Sequence, residues 1–176
     1  MIGNRIQLLD PTVDLEDAFR DMADEYAGRG EQRYQGLPGP DGGGFAAYVQ
    51  RLRNAAAGTA LPAGHVPANT YWLVRHGGRI VGASRLRHYL NENLLAEGGH
   101  IGYDIRPSER RKGYGTKLLA MTLDKARAMG LTRVMVSCAT DNVASARIIK
   151  ANGGVFENEV MSPTFRKPLM RFWIEL

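Results

Sequence analysis

The chain is poorest in cysteine. Cys138 is the only one in 176 residues, so no disulfide can close within it. That excludes the disulfide-stapled secreted scaffolds and fits a reducing compartment. Cys138 ends an apolar run, where packing is a more natural role than reactivity. Long hydrophobic runs are also missing: nothing approaches the ~20 apolar residues that a membrane span requires. Met1 to Arg5 lacks the apolar stretch and small-residue cleavage site of a secretory leader. A cytoplasmic protein without membrane attachment is therefore expected. Acidic residues are in deficit, with 18 Asp and Glu against 23 Lys and Arg, a net charge of +5. A basic surplus can signal nucleic acid, but here it gathers at residues 106–117, and neither zinc-ligand spacing nor an aromatic RNA-binding signature accompanies it. No metal or nucleic-acid partner is expected.

What remains is ordinary for a globular chain: 44% hydrophobic and 23% charged residues, a length suited to one domain over 1–176. A first strand is predicted from Arg5 to Leu9, stopped by Asp10-Pro11. Thr12 or Asp14 then caps a helix to about Tyr26, with Leu15, Phe19, Met22 and Tyr26 on its apolar face. Seven glycines and two prolines between Gly28 and Gly44 mark a loop. Phe45 to Ala57 reads as a second helix, followed by a loop from Gly58 to Asn69. Loops of this length in a compact domain are commonly functional. Tyr71 to Arg75 and Arg79 to Arg87 form a hairpin about Gly77-Gly78. His100 to Ile105 is the next strand. A helix then runs to Met129, with Gly130 as its left-handed cap. Thr132 to Cys138 is nearly continuous apolar sequence, as in a strand covered on both faces. A helix from Asn142, a strand near Val155 to Met161 and a final strand from Leu169 to Glu175 complete the chain.

The most informative segment is Arg110-Arg111-Lys112-Gly113-Tyr114-Gly115-Thr116, between a strand and a helix N-terminus. Gly113 and Gly115 let the backbone approach a ligand closely. The first amides of the helix have no intrahelical partners and lie at the positive end of its dipole, a ready anion site. Arg110, Arg111, Lys112 and Lys117 add charge. The spacing is neither a Walker motif nor a dinucleotide fingerprint.

Arg-x-x-Gly-x-Gly, as Arg110 to Gly115 present it, resembles the pyrophosphate loop of the GNAT superfamily of acetyl-CoA-dependent N-acetyltransferases. The flanks agree. Gly98 to Ser108 resembles the splayed central strand of that family, and Asp141 to Ser145 resembles the opening of its late helix, closed here by Asn152-Gly153-Gly154. The whole looks most similar to a bacterial subgroup of predicted acetyltransferases. The resemblance implies a single-domain α/β fold with a mixed, mostly antiparallel central sheet of about six to seven strands and about four flanking helices. It implies acetyl-CoA as co-substrate and direct transfer of acetyl to a primary amine.

Mapped onto this chain, the resemblance assigns coenzyme binding to Tyr103, Asp104 and Ile105 on the strand, with the Ile105 amide as oxyanion donor. It continues through Arg110, Arg111, Lys112, Gly113, Tyr114, Gly115, Thr116 and Lys117, and adds Asn142 and Ser145. For Asn142 a helix cap serves equally well. The amine must lose a proton, and Glu97, His100 and Asp104 are the candidates near the central strand, with Glu92 further off. Alternation puts His100 and Asp104 on the face opposite Tyr103. Many relatives carry a tyrosine seven residues after the opening asparagine to protonate the thiolate. Here Ile149 stands there, leaving Ser145 or water. Arg85 and Arg87 either recognise a carboxylate or phosphate on the acceptor or form a solvated strand edge. Trp72 and Trp173 are expected in the core or an interface, and the Arg171 to Ile174 end in a homodimer contact. A non-catalytic acyl-CoA-binding module is the alternative reading.

Overall fold

The computed structural model describes residues 6–37, 43–164 and 166–176. Met1 to Arg5, including the start of the expected first strand, lie outside the described residues, as do 38–42 of the glycine-rich loop.

Strands and helices follow one another in the order expected. Strand β1 (Ile6–Leu9) leads through a short 3-10 turn into α1 (Glu16–Gly28) and α2 (Gly44–Ala57). Next come β2 (Ala68–Arg75), β3 (Arg79–Arg87) and β4 (Ile101–Ile105), with a π-helical turn at Leu94–Gly98 before β4. Helix α3 (Tyr114–Ala128), β5 (Arg133–Ala139), α4 (Val143–Ala151), β6 (Val155–Met161) and β7 (Pro168–Glu175) complete the fold. Strand β2 begins earlier than its sequence suggests because Ala68 and Asn69 pair with Arg87 and Leu86.

The seven described strands form two antiparallel sheets, ordered β1-β2-β3-β4 and β5-β7-β6. One residue joins them. The His100 amide donates to the Met135 carbonyl at 2.7 Å, and the Met135 amide donates to His100 Nδ1 at 2.9 Å. Gly99 makes this approach possible, with φ of +66° and space for no side chain: a Cβ there would stand 2.7 Å from the Met135 carbonyl oxygen. Beyond the junction β4 and β5 share no ladder.

Helix α3 is amphipathic because Leu118, Leu119, Thr122, Leu123 and Ala126 recur at helical spacing and are buried. Its end is sealed by Gly130 at φ +82° and by the Leu131 amide bonding back to Ala126. Under it a single apolar cluster runs through Leu86, Ile101, Val136 and Phe172, residues of both sheets. A second cluster, with Phe19, Met22, Tyr48 and Trp72, packs α1 and α2 on the opposite face of the first sheet.

The C-terminal end, expected in a homodimer contact, makes its described contacts within the chain. Strand β7 is the middle strand of its sheet, and Phe172 and Ile174 are core. Arg171 donates to Asn158 and to the Leu95 carbonyl, while Arg133 stacks on Trp173 at 4.3 Å. These groups are spent within the chain. Among the described residues no helix is long and apolar enough to cross a membrane.

Candidate active site

Strand β4 bonds to β3 through the even-numbered residues. The Arg87 amide reaches His100 O at 2.8 Å and the Arg106 amide reaches Val81 O at 3.0 Å. Alternation then turns the N–H and C=O groups of Ile101, Tyr103 and Ile105 away from β3, towards the side where β5 has parted. Two cavities meet in that opening. One, of about 630 Å³, is walled by β2, β3, the loop after α1 and the end of β5. The other, of about 760 Å³, lies against the start of α3 and α4. Tyr103, Asp104, Asn142, Ser145 and Arg33 border both.

The second cavity contains most of the expected loop. Arg110, Arg111, Gly113, Gly115 and Thr116 line it together with Ile105. Helix α3 has no side-chain cap, and its first turn closes only when the Lys117 amide reaches Gly113 O at 3.2 Å. The amides of Tyr114, Gly115 and Thr116 are thus left for an outside partner. Gly113 has φ of +83° and open space where a Cβ would be. Three expected members lie elsewhere. Tyr114 is buried in the core, Lys117 points to solvent on α3, and Lys112 bonds Glu109 at 3.0 Å.

Arg110 lines the cavity but is clamped by Glu31 through two bonds of 2.8 and 2.7 Å and donates to Ile105 O. Among the described residues, Arg111 and Arg147 on α4 line this cavity without an ion-pair partner. Sequence spacing from the loop could not reveal Arg147, because it arrives from another helix.

Asp104 occupies the boundary between the cavities. It accepts from Tyr26 Oη at 2.6 Å, Tyr34 Oη at 2.9 Å and Arg33 Nη1 at 2.9 Å. Burial raises its pKa, against the pull of Arg33 and the two phenols. Burial likewise raises the phenol of Tyr34. Tyr26 was hidden in the sequence because a tyrosine on an apolar helix face looks like core; the glycine-rich loop did give warning for Arg33 and Tyr34.

Ser145 Oγ lies 2.8 Å from Tyr103 Oη, and burial pushes the Tyr103 phenol up to about 12. Asn142 accepts from the Ser145 amide at 3.0 Å, so it caps α4 as well as bordering the cavities. Ile149 is wholly buried among core residues. Glu97 lines the first cavity, where the Ser162 and Thr164 hydroxyls donate to its carboxylate and hold its pKa below the usual range.

His100 must be set apart from the site. It lines neither cavity. Burial, with Arg87 and Arg133 nearby, depresses its pKa to about 4. A neutral ring accepting the Met135 amide is a structural element of the junction. Glu92 is exposed and outside both cavities.

Comparison with known sequences and structures bears on the family and the fold. The sequence family described as an acetyltransferase (GNAT) domain matches residues 8–155. A search of curated protein sequences finds no match. Among solved structures, the ribosomal-protein-S5-alanine acetyltransferase from Vibrio fischeri superposes with a TM-score of 0.70 at 17% identity, covering 99% of this chain and 95% of its own. The ribosomal L7/L12 alpha-N-protein acetyltransferase RimL, in complex with coenzyme A, gives 0.69 at 15% identity, with 100% and 97% covered. The putative acetyltransferase yncA from Salmonella typhimurium, with its cofactor acetyl-CoA, gives 0.64 at 13%, with 98% and 95% covered. At such identities the likeness is one of fold.

Proposed function

The chain belongs to the GNAT acetyltransferase family, and from that premise we propose that it moves acetyl from acetyl-CoA directly onto a primary amine. The observation that carries this is the meeting of two cavities at Tyr103, Asp104 and Ser145. A donor entering along α3 and an amine entering over β2 and β3 would touch only there. Residues 1–176 are read as one N-acetyltransferase domain, because the two sheets share a core.

The α3 side suits acetyl-CoA on its own chemistry. The free amides of the first turn, with Arg111 and Arg147, would hold the diphosphate. The backbone groups of Tyr103 and the Ile105 amide, turned away from β3, would bond the extended pantetheine arm as a strand bonds its neighbour. The Ile105 amide would face the developing oxyanion. Acetyl-CoA supplies an activated thioester; alignment of the two reactants supplies much of the acceleration, through effective molarities of about 10⁵–10⁸ M.

Two protons must be moved. An alkylammonium has a reference pKa of ~10.4, so about one molecule in two thousand is neutral at pH 7. Asp104, whose proton affinity burial raises, is the better proton acceptor, reached through the Tyr34 hydroxyl that bonds it. Glu97 has the opposite shift and is the weaker base. At the other end the departing thiolate needs a donor. With Ile149 at the usual tyrosine position, the Tyr103–Ser145 hydroxyl pair takes that role. A phenol pushed up to about 12 keeps its proton at neutral pH.

Titration calorimetry with acetyl-CoA and thiol release with a panel of amines test the proposal. Gly113→Asp places a carboxylate in the anion cradle at φ +83° and is expected to abolish coenzyme binding while leaving the circular dichroism spectrum intact. Unchanged binding would contradict the loop assignment. Ile149 in the core gives one observation in favour of a second reading, an acyl-CoA-binding module without catalysis. Tight coenzyme binding with no turnover on any amine would select it.

A further inference from the structure

We infer that the amine acceptor carries an anionic group, a carboxylate or a phosphate, which Arg85 receives with Arg87 on the floor of the first cavity. The inference rests on the acetyl-transfer reading and names the class of its acceptor. The charge balance of that cavity carries it.

Both carboxylates there already have their donors. Asp104 is shared among Tyr26, Tyr34 and Arg33, and Glu97 between Ser162 and Thr164. Against these two carboxylates stand Arg33, Arg85, Arg87 and Lys167, all lining the same cavity, so the wall carries an excess of positive charge. Two of these cations are in the reverse condition. Arg85 is exposed on β3, lines the cavity, and has no hydrogen-bonding or acidic partner among the described residues. Arg87 lies two residues on, on the same face, and gives Nη1 to the carbonyls of Gly98 and Gly99. No carboxylate reaches it among the described residues. Burial lowers its proton affinity, and the charge of Arg85 lowers it further, as expected of neighbouring like charges without a counterion.

An independent observation points the same way. Trp72 lines this cavity, and its buried indole N–H has no hydrogen-bond partner among the described residues. Buried donors are almost always paired. The wall therefore offers two guanidinium groups, which donate and cannot accept, and an unpaired indole N–H lies buried beside the cavity. A polyamine or an unadorned lysine side chain would bring only more donors. A carboxylate or phosphate beside the reacting amine brings acceptors, and planar guanidinium groups bind such oxygens in pairs.

Matched amines decide the matter. β-Alanine against β-alaninamide tests the carboxylate, and phosphoethanolamine against ethanolamine tests the phosphate. Spermidine is the polycation. Each is given to the wild type and to Arg85→Gln. Thiol release gives kcat/KM, and titration calorimetry on protein saturated with coenzyme A gives binding without turnover. One anionic member is expected to exceed its neutral partner by roughly tenfold or more, as for a charge-assisted hydrogen bond. That ratio should fall towards parity in Arg85→Gln, with coenzyme affinity unchanged. Preference for a neutral amine or spermidine, a ratio unaltered by Arg85→Gln, or no binding of either anion would overturn the inference. Absence of thiol release from the whole panel would count against acetyl transfer instead, and the binding titrations would still decide between anion and neutral.

Discussion

Protonation separates the two uses a histidine can have, and His100 has only one of them. Its Nδ1 accepts the Met135 amide, so charging the ring breaks a bond that joins the sheets. With a folded pKa of about 4 against the ordinary 6.5, the unfolded chain binds the extra proton first. The contribution to stability is therefore present above pH 6.5 and is lost as pH falls from there through 4. His100→Gln removes the titration, and urea unfolding across that window should show a shallower loss than in the wild type. Identical slopes would mean the ring is not held neutral. Tyr103 has the reverse character, a half-buried phenol beside Ser145 whose proposed use is chemical. Tyr103→Phe keeps the ring and removes the proton. A fall in kcat of about ten- to a hundredfold is expected, less than a full general-acid contribution because Ser145 remains. Coenzyme affinity measured by calorimetry should hardly move; an unchanged kcat would transfer the role to Ser145 or water.

Strand β4 is the element on which the site depends, because one edge is bonded to β3 and the other opens as soon as it leaves Met135. Gly99 sets that geometry. Its combination of φ +66° and ψ 179° belongs to a region other residues reach at a cost of about 1–3 kcal/mol, and a Cβ there would meet the Met135 carbonyl. Gly99→Ala should therefore destabilise by at least that amount in denaturant unfolding and weaken coenzyme binding with it. A variant as stable as wild type would show that β4 tolerates another path.

The same element explains how much was legible beforehand. Periodicity and glycine placement gave the strands, the helices, and the glycine turn at Gly113 that opens α3, since those are written in local spacing. The split into two sheets was hidden, because it depends on a side chain, His100, bonding a backbone amide 35 residues away. Arg147 and Tyr26 escaped for the same reason, each reaching the cleft by tertiary packing. The ion pair of Lys112 was hidden as well, because sequence shows a charge but not the Glu109 that meets it.

At the scale of the whole molecule, the division into two sheets raises the question of whether they unfold separately. The packing argues that they do not. Residues Leu86 and Ile101 of the first sheet and Val136 and Phe172 of the second belong to one cluster with Leu119 and Leu123 of α3 between them. Removing either sheet would expose the apolar face of α3, so neither half retains a closed core. Heating should therefore give one calorimetric transition with matching van't Hoff and calorimetric enthalpies. Acetyl-CoA at a hundredfold excess over its Kd should add about 2.7 kcal/mol, which for a chain of this size raises Tm by roughly 5–10 °C. Its proposed seat touches β4 and α3 on one side and α4 on the other, so the whole transition should move without splitting. Two resolved transitions, with only one shifted by the coenzyme, would mean that the sheets are energetically independent and that the cleft between them is not the rigid frame that aligned acetyl transfer requires.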